Sequence, residues 1–403
     1  MPDETTQATG TYRSGRPDGR YASTLGFAHH LMKAAPPRLA FDPTMDAAGF
    51  ADWQKAIRSK ALELMAFPPD VPAQPAPNRV WRESRYGYSL EKWEIYPEPA
   101  SVVPILVLVP DGVTAQQPAP AVICIPGSSG TKEFLAGEPE SHPGLKVPAH
   151  ADKNDMARQF ARAGLVAVAT DHPGSGEALE RVGDQLLGGA TRDKLCRDLL
   201  YLGRSFTGVS TFHQACILNW LKSFSWVDAD RLALAGHSLG TEAALALAAI
   251  DTDVAAVVLN DFIHGKRPQD IALAKTMDGE RVFFTGGMWH TVPGMWQWLD
   301  LPDLVAAIAP RPVLGTEGGT AAALPLVERA YELAGDPKAF RYHHFPEFDA
   351  PEKRPFDCEP MPEGLPVDEY YTRAHTNPAE HYFKGHLAVP WLCERFGMAR
   401  GRA

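Results

Sequence analysis

Apolar positions along the chain follow two alternating rhythms. Phe50, Trp53 and Ile57 recur at helical spacing within 46–65 and predict an amphipathic helix. A proline-rich stretch, 68–77, separates that helix from the body of the chain. Two extended runs come next: 80–96, where Trp93 and Ile95 alternate with charges, and 103–109. Both suit antiparallel strands at the front of a sheet. From there strands and helices alternate. The spacing predicts strands over 119–126, 165–170, 231–235, 254–259, 312–316 and 340–345, and helices over 155–163, 210–223, 241–249, 324–333 and 385–396. This order predicts an α/β fold: a mostly parallel central sheet, covered by helices on both faces and joined by right-handed connections. No internal repeat is visible.

Some segments break the rhythm. Residues 1–40 read as a loosely structured arm, so the chain divides into an N-terminal arm with its helix (1–78), packed on the body, and a main domain (79–403). Insertions at about 262–300 and 349–380 are expected to lie over the mouth of a site. The first carries Trp289, His290 and Trp296, which either contact a small molecule directly or pack the insertion onto the body.

Composition narrows the function classes. The net charge of −10 over 403 residues and the lack of a basic cluster argue against a nucleic-acid partner. The five cysteines lack metal-ligand spacing, so no zinc site is expected; Cys124 and Cys216 read as small core residues. Met1 to about Tyr21 is polar with no secretory h-region, and no stretch reaches the ~18–20 apolar residues needed to span a bilayer. The expectation is a cytoplasmic protein without a membrane partner; a homo-oligomer is compatible with the sequence.

Candidate chemistry centres on Gly236-His237-Ser238-Leu239-Gly240, a G-x-S-x-G pentapeptide between an apolar strand and an alanine-rich helix. In that context the serine sits on a strained turn with its hydroxyl exposed at the carboxyl edge of the sheet. A serine nucleophile needs a base. His381, on a loop before the last helix, satisfies the chain order Ser, acid, His. The acid stays open. Glu317 at the end of the 312–316 strand is favoured, and Asp261 after the preceding strand is the alternative. The backbone amides of Leu239 and Ser128, the latter in Gly127-Ser128-Ser129-Gly130, are placed to form an oxyanion hole. No G-K-[ST] succeeds that loop, so it is not a phosphate-binding loop. The turn Asp171-His172-Pro173-Gly174-Ser175-Gly176 reads as pocket floor without chemistry.

Together with Trp289-His290-Thr291-Val292-Pro293-Gly294 and Asp303-Leu304-Val305-Ala306-Ala307-Ile308-Ala309-Pro310-Arg311-Pro312, these residues resemble the α/β-hydrolase superfamily. More narrowly, they resemble the acetyl-xylan-esterase-like and dienelactone-hydrolase-like carboxylesterases of bacteria, over about residues 45–397. The resemblance implies ester hydrolysis through an acyl-enzyme with Ser238 as nucleophile, His381 as base and then acid, and no cofactor. The substrate it implies is a small or medium ester, such as an acetyl or methyl ester of a carbohydrate or aromatic acid. Lactonase, peptidase or carbon–carbon hydrolase chemistry, or a non-catalytic binding role, are the alternatives on the same fold. The chain departs from the pattern at Ala321, where an Asp is expected, at Pro126, where relatives often have His, and in the long insertion before His381.

Overall fold

Alternation along the strands decides the architecture. In the computed structural model, Ile105 and Val107 enter one buried cluster while Leu106 and Leu108 enter another. Likewise Ala121, Ile123 and Ile125 face one way, Val122 and Cys124 the other. Successive side chains of a strand point to opposite faces, so strands apolar at every position must be covered on both sides. The structure describes residues 14–141, 150–182, 185–186, 190–266, 273–275, 281–283, 287–320, 322–345 and 381–398.

Nine strands form the main sheet: β1 (Asn78–Arg85), β2 (Tyr88–Ile95), β3 (Val103–Pro110), β4 (Ala119–Ile125), β5 (Val166–Ala169), β6 (Val227–His237), β7 (Val254–Asn260), β8 (Val313–Glu317) and β9 (Phe340–Tyr342). Their spatial order is β1-β2-β3-β5-β4-β6-β7-β8-β9. The first three and the β3–β5 pair are antiparallel; the remaining pairs are parallel. One face carries helices α2 (Ala47–Met65), α6 (Phe206–Leu221), α7 (Leu239–Ile250), α8 (Leu301–Ile308) and α9 (Leu324–Leu333). The opposite face carries α3 (Lys132–Ala136), α4 (Met156–Arg162) and α10 (Gly385–Arg395). Because β4, β6, β7 and β8 are parallel neighbours, their carboxyl ends open on one edge, where open α/β sheets place their ligands.

Three expectations change. The run 80–96 is two strands, because Tyr86-Gly87, with Gly87 at φ 84°, turns the chain back on itself. The 1–40 arm contains α1 (Thr24–Ala34), whose cap Ser23 accepts from the Gly26 amide at 3.1 Å. A helix over Ala190–Tyr201 (α5) is also present; its mean hydropathy is low, so it carries little of the apolar signal by which helices are read. Within the first insertion the structure describes a short antiparallel pair (Leu273–Lys275 with Arg281–Phe283) and two 3-10 turns. The 349–380 insertion lies outside the described residues. No described helix is long and apolar enough to cross a membrane.

The helix over Ala47–Met65 starts one residue after its cap, Asp46, whose carboxylate accepts from the Gly49 amide. Phe50, Trp53 and Ile57 lie in the main core, and the Trp53 indole N–H reaches the Leu39 carbonyl at 2.9 Å. Trp53→Ala is expected to lower stability by about 3–5 kcal/mol, the usual cost of emptying a buried aromatic site. Urea unfolding measures this, and a loss under ~1 kcal/mol would mean that the N-terminal helix is not part of the core.

Candidate active site

Ser238 joins β6 to α7 with φ 50° and ψ −125°, a conformation that costs a non-glycine residue ~1–3 kcal/mol. Two hydrogen bonds hold it: the Ser238 amide donates to the Asn260 carbonyl at 2.9 Å, and the Thr241 amide donates to the Ser238 carbonyl at 2.8 Å. The flanking glycines are required by contact. A Cβ on Gly236 would lie 2.5 Å from Thr241 Cα, and one on Gly240 would lie 2.3 Å from the Ile125 carbonyl oxygen. The alanine- and leucine-rich helix after the turn has high intrinsic helicity, and its small side chains let it lie against the sheet.

His381 comes from the other end of the chain. Its loop is anchored by Phe383, buried against Phe160, and by the Phe383 amide donating to Asn154 at 2.8 Å. The ring Nδ1–H points at Glu317 Oε2, 2.8 Å away, while Asp261 Oδ2 lies 4.0 Å from the opposite nitrogen. Glu317 is itself buried, and its other oxygen meets Lys384 Nζ at 2.7 Å. Asn260 Nδ2 donates to Glu317 Oε2 at 2.9 Å as well. Burial disfavours the His381 cation, but the hydrogen bond and charge of Glu317, helped by Asp261, outweigh it and raise the imidazole pKa. Asp261 accepts from the amide of its own neighbour Phe262, at 2.7 Å.

Ser238, His381, His237 and the loop from Pro126 to Gly130 line one cavity of about 110 Å³. Ser128 thus borders the same space as Ser238, and Leu239 opens the helix behind it. No hydrogen bond joins the Ser238 hydroxyl to the His381 ring among the described residues; catalytic hydrogen bonds are commonly loose before substrate arrives.

The glycine–serine loop is held by groups that the sequence pattern does not reveal. Lys132, fully buried, donates through its amide and its ammonium to the two oxygens of Asp171, at 2.7 and 2.8 Å. Its ammonium also meets Glu133 and Glu177. Burial works against this cation, yet the three carboxylates win and its pKa rises. His172 Nε2–H donates to the Pro126 carbonyl at 2.7 Å, and burial keeps the ring neutral with a pKa of about 4. The turn over 171–176, chemically silent by sequence, therefore fixes the end of β4 and the start of α3.

None of Trp289, His290 and Trp296 is among the residues lining that cavity. Trp296 packs against the main core. Trp289 packs beside Leu239, with the Arg192 guanidinium over its ring at 5.3 Å. His290 Nδ1 lies 2.8 Å from Glu242 Oε1, which also holds Lys266 at 3.0 Å. Burial alone would raise the Glu242 pKa, but these two partners lower it to about 2. Asn260 and Lys384 contact Glu317, and His237 borders the cavity, yet the sequence singles out none of the three; the one available signal was that Asn260 is polar at the end of an otherwise apolar strand. Among the described residues no group of three or more His, Cys, Asp or Glu side chains could hold a metal ion.

Residues 5–394 match the model of the Abhydrolase family. A crystal structure from Bacteroides fragilis NCTC 9343, of a protein provisionally assigned as an acetyl xylan esterase, is 38% identical. It superposes with a TM-score of 0.82, covering 95% of this chain and 97% of the other. A methylesterase shares the fold at 17% identity and TM-score 0.55, over 75% of this chain and 60% of its own. A promiscuous CE15 esterase from a marine bacterial metagenome does so at 14% identity and TM-score 0.50, over 90% and 97%. No sequence among the curated proteins matches. With nearly its whole length matched to the family model, and the sheet order and strand–turn–helix serine described above, this chain belongs to the Abhydrolase family of α/β-hydrolases, on the acetyl-xylan-esterase-like branch.

Proposed function

We propose that the protein is a serine carboxylesterase that cleaves small acyl esters, an acetylated carbohydrate being the favoured substrate class. The observation that carries this reading is the small cavity bordered by Ser238, His381 and the Gly127–Gly130 loop, with Glu317 hydrogen-bonded behind the imidazole. The 38% identical relative and its assignment support the acetyl ester. A cavity of about 110 Å³ also suits a short acyl group better than a long one.

In this mechanism Glu317 keeps the His381 proton on Nδ1, leaving Nε2 free to take the Ser238 proton as the hydroxyl oxygen attacks the ester carbonyl. The carbonyl oxygen becomes an oxyanion facing the amides of Ser128 and Leu239. His381 then returns the proton to the leaving alcohol, and water hydrolyses the acyl-enzyme by the same steps.

Three outcomes test it. Ser238→Ala is expected to lower p-nitrophenyl acetate turnover by at least ~10⁴-fold and to abolish fluorophosphonate labelling. Full activity in that variant sinks the reading, and turnover of only lactones or peptides in a substrate panel moves the chemistry to another bond. Glu317→Gln is expected to cost ~10³–10⁴-fold in kcat and Asp261→Asn less than ~10-fold; the reverse pattern transfers the acid role to Asp261. The third is a pH profile. The base works neutral, so activity falls as pH drops through the His381 pKa, and because that pKa is raised the acid limb lies above the ordinary imidazole value of about 6.5. Removing the Glu317 charge takes away that upward push, so in Glu317→Gln the limb moves to lower pH. A limb that stays put shows that another group titrates.

A further inference from the structure

Two imidazoles border the cavity, His381 and His237, with ring centroids 4.7 Å apart. The hydrogen bonds behind them set opposite tautomers. The Lys384 backbone N–H reaches Asn260 Oδ1 at 3.1 Å, and the Thr316 hydroxyl meets the same atom at 2.7 Å. A backbone N–H can only donate, so the amide oxygen of Asn260 is the atom on that side and its nitrogen faces the other way. That nitrogen lies 2.9 Å from His237 Nδ1 and 2.9 Å from Glu317 Oε2. Since an amide N–H also only donates, His237 Nδ1 is the bare acceptor and the ring proton is on Nε2. His381, donating from Nδ1 to Glu317, carries its lone pair on Nε2.

His237 Nε2 makes no hydrogen bond with a described residue. A Cβ on Gly127 would lie 3.1 Å from His237 Cδ2, 3.5 Å from Nε2 and 3.3 Å from Ser238 Cβ, which sets the Cδ2–Nε2 edge of the ring against the glycine–serine loop beside Ser238. We propose that His237 Nε2–H is a catalytic hydrogen-bond donor, a third donor to the ester carbonyl oxygen as it becomes an oxyanion, alongside the amides of Ser128 and Leu239. This rests on the serine-esterase reading above. In the step, Ser238 Oγ bonds to the carbonyl carbon, its proton passes to His381 Nε2, and the carbonyl π pair moves to oxygen. His237 keeps its proton throughout. When the bond to the leaving alcohol breaks, the π bond re-forms and His381 supplies the alcohol's proton.

A neutral imidazole suits this place. Burial, then the positive charge available at His381 and Lys384, holds the His237 pKa well below its ordinary value. It therefore stays uncharged while the neighbouring His381 becomes a cation. Neutral imidazoles serve elsewhere as electrophiles for developing oxyanions.

The test uses the full-length protein and p-nitrophenyl acetate. His237→Phe is expected to lower kcat/KM by ~100-fold, mostly through kcat, with Ser238 still the labelled residue and the acid limb of the pH profile unmoved. His237→Gln, which keeps a neutral N–H, is expected to recover at least ~10-fold of that loss. Long-range ¹H–¹⁵N spectra of the wild-type protein are expected to show His237 as the Nε2–H tautomer from pH 5 to 8, a readout that needs no variant to fold. A loss under threefold in His237→Phe, a Nδ1–H tautomer, or titration within that range overturns the proposal and leaves the serine-esterase reading intact. Retained turnover in Ser238→Ala overturns both.

Discussion

The turn at Ser238 is the constraint on which the rest of the site depends. A chain that passes from strand to helix through one residue at φ 50° cannot accommodate side chains at Gly236 or Gly240, because helix and neighbouring strand approach within contact of the backbone. The turn costs ~1–3 kcal/mol, and two backbone hydrogen bonds plus the burial of nearly the whole adjoining helix offset it. One of those bonds is the Ser238 amide on the Asn260 carbonyl. Asn260 therefore supports the Ser238 turn with its backbone while its side chain orders Glu317 and His237. Geometry and electrostatics meet in one residue at the end of β7.

Glu317 shows why a buried carboxylate needs more than one partner. Its desolvation costs several kcal/mol, and an ion pair at ~4 Å in protein surroundings returns ~4 kcal/mol. Lys384 on one oxygen and His381 with Asn260 on the other share that compensation. Lys384 also opposes the His381 cation, against the pull of Glu317 and Asp261. A carboxylate without Lys384 would raise the imidazole pKa further. Lys384 thus compensates the buried Glu317 while tempering its effect on the imidazole.

Local pattern made much of this legible. Ser238 stood out as a candidate because the pentapeptide, the apolar strand and the alanine-rich helix are adjacent in sequence. His381 stood out as a candidate from chain order and its place before the last amphipathic helix, and Glu317 from its place at a strand's carboxyl end; the structure brings these two together at 2.8 Å. The residues that escaped depend on pairing across the sheet. Lys132 and Asp171 lie 39 positions apart and join only because β4 and β5 are parallel neighbours. His237 sits inside the motif, yet its tautomer depends on Asn260, whose own orientation is set by Lys384 and Thr316. The missed helix at 190–201 escaped for a different reason, its low hydropathy. Its Leu195, Cys196 and Leu199 nonetheless pack with Leu239 and Trp289.

That last contact ties the first insertion to the chemistry. Glu242, in the first turn of α7, binds Lys266 near the start of the insertion and His290 further along it through a single oxygen. A carboxylate there is favoured by the helix N-terminus as well as by these two partners. The helix that follows Ser238 thus holds the segment carrying Trp289 at Lys266 and at His290, and Thr207 holds the Trp289 carbonyl at 3.0 Å. Both contacts end on one buried carboxylate, so losing either leaves Glu242 with one partner fewer.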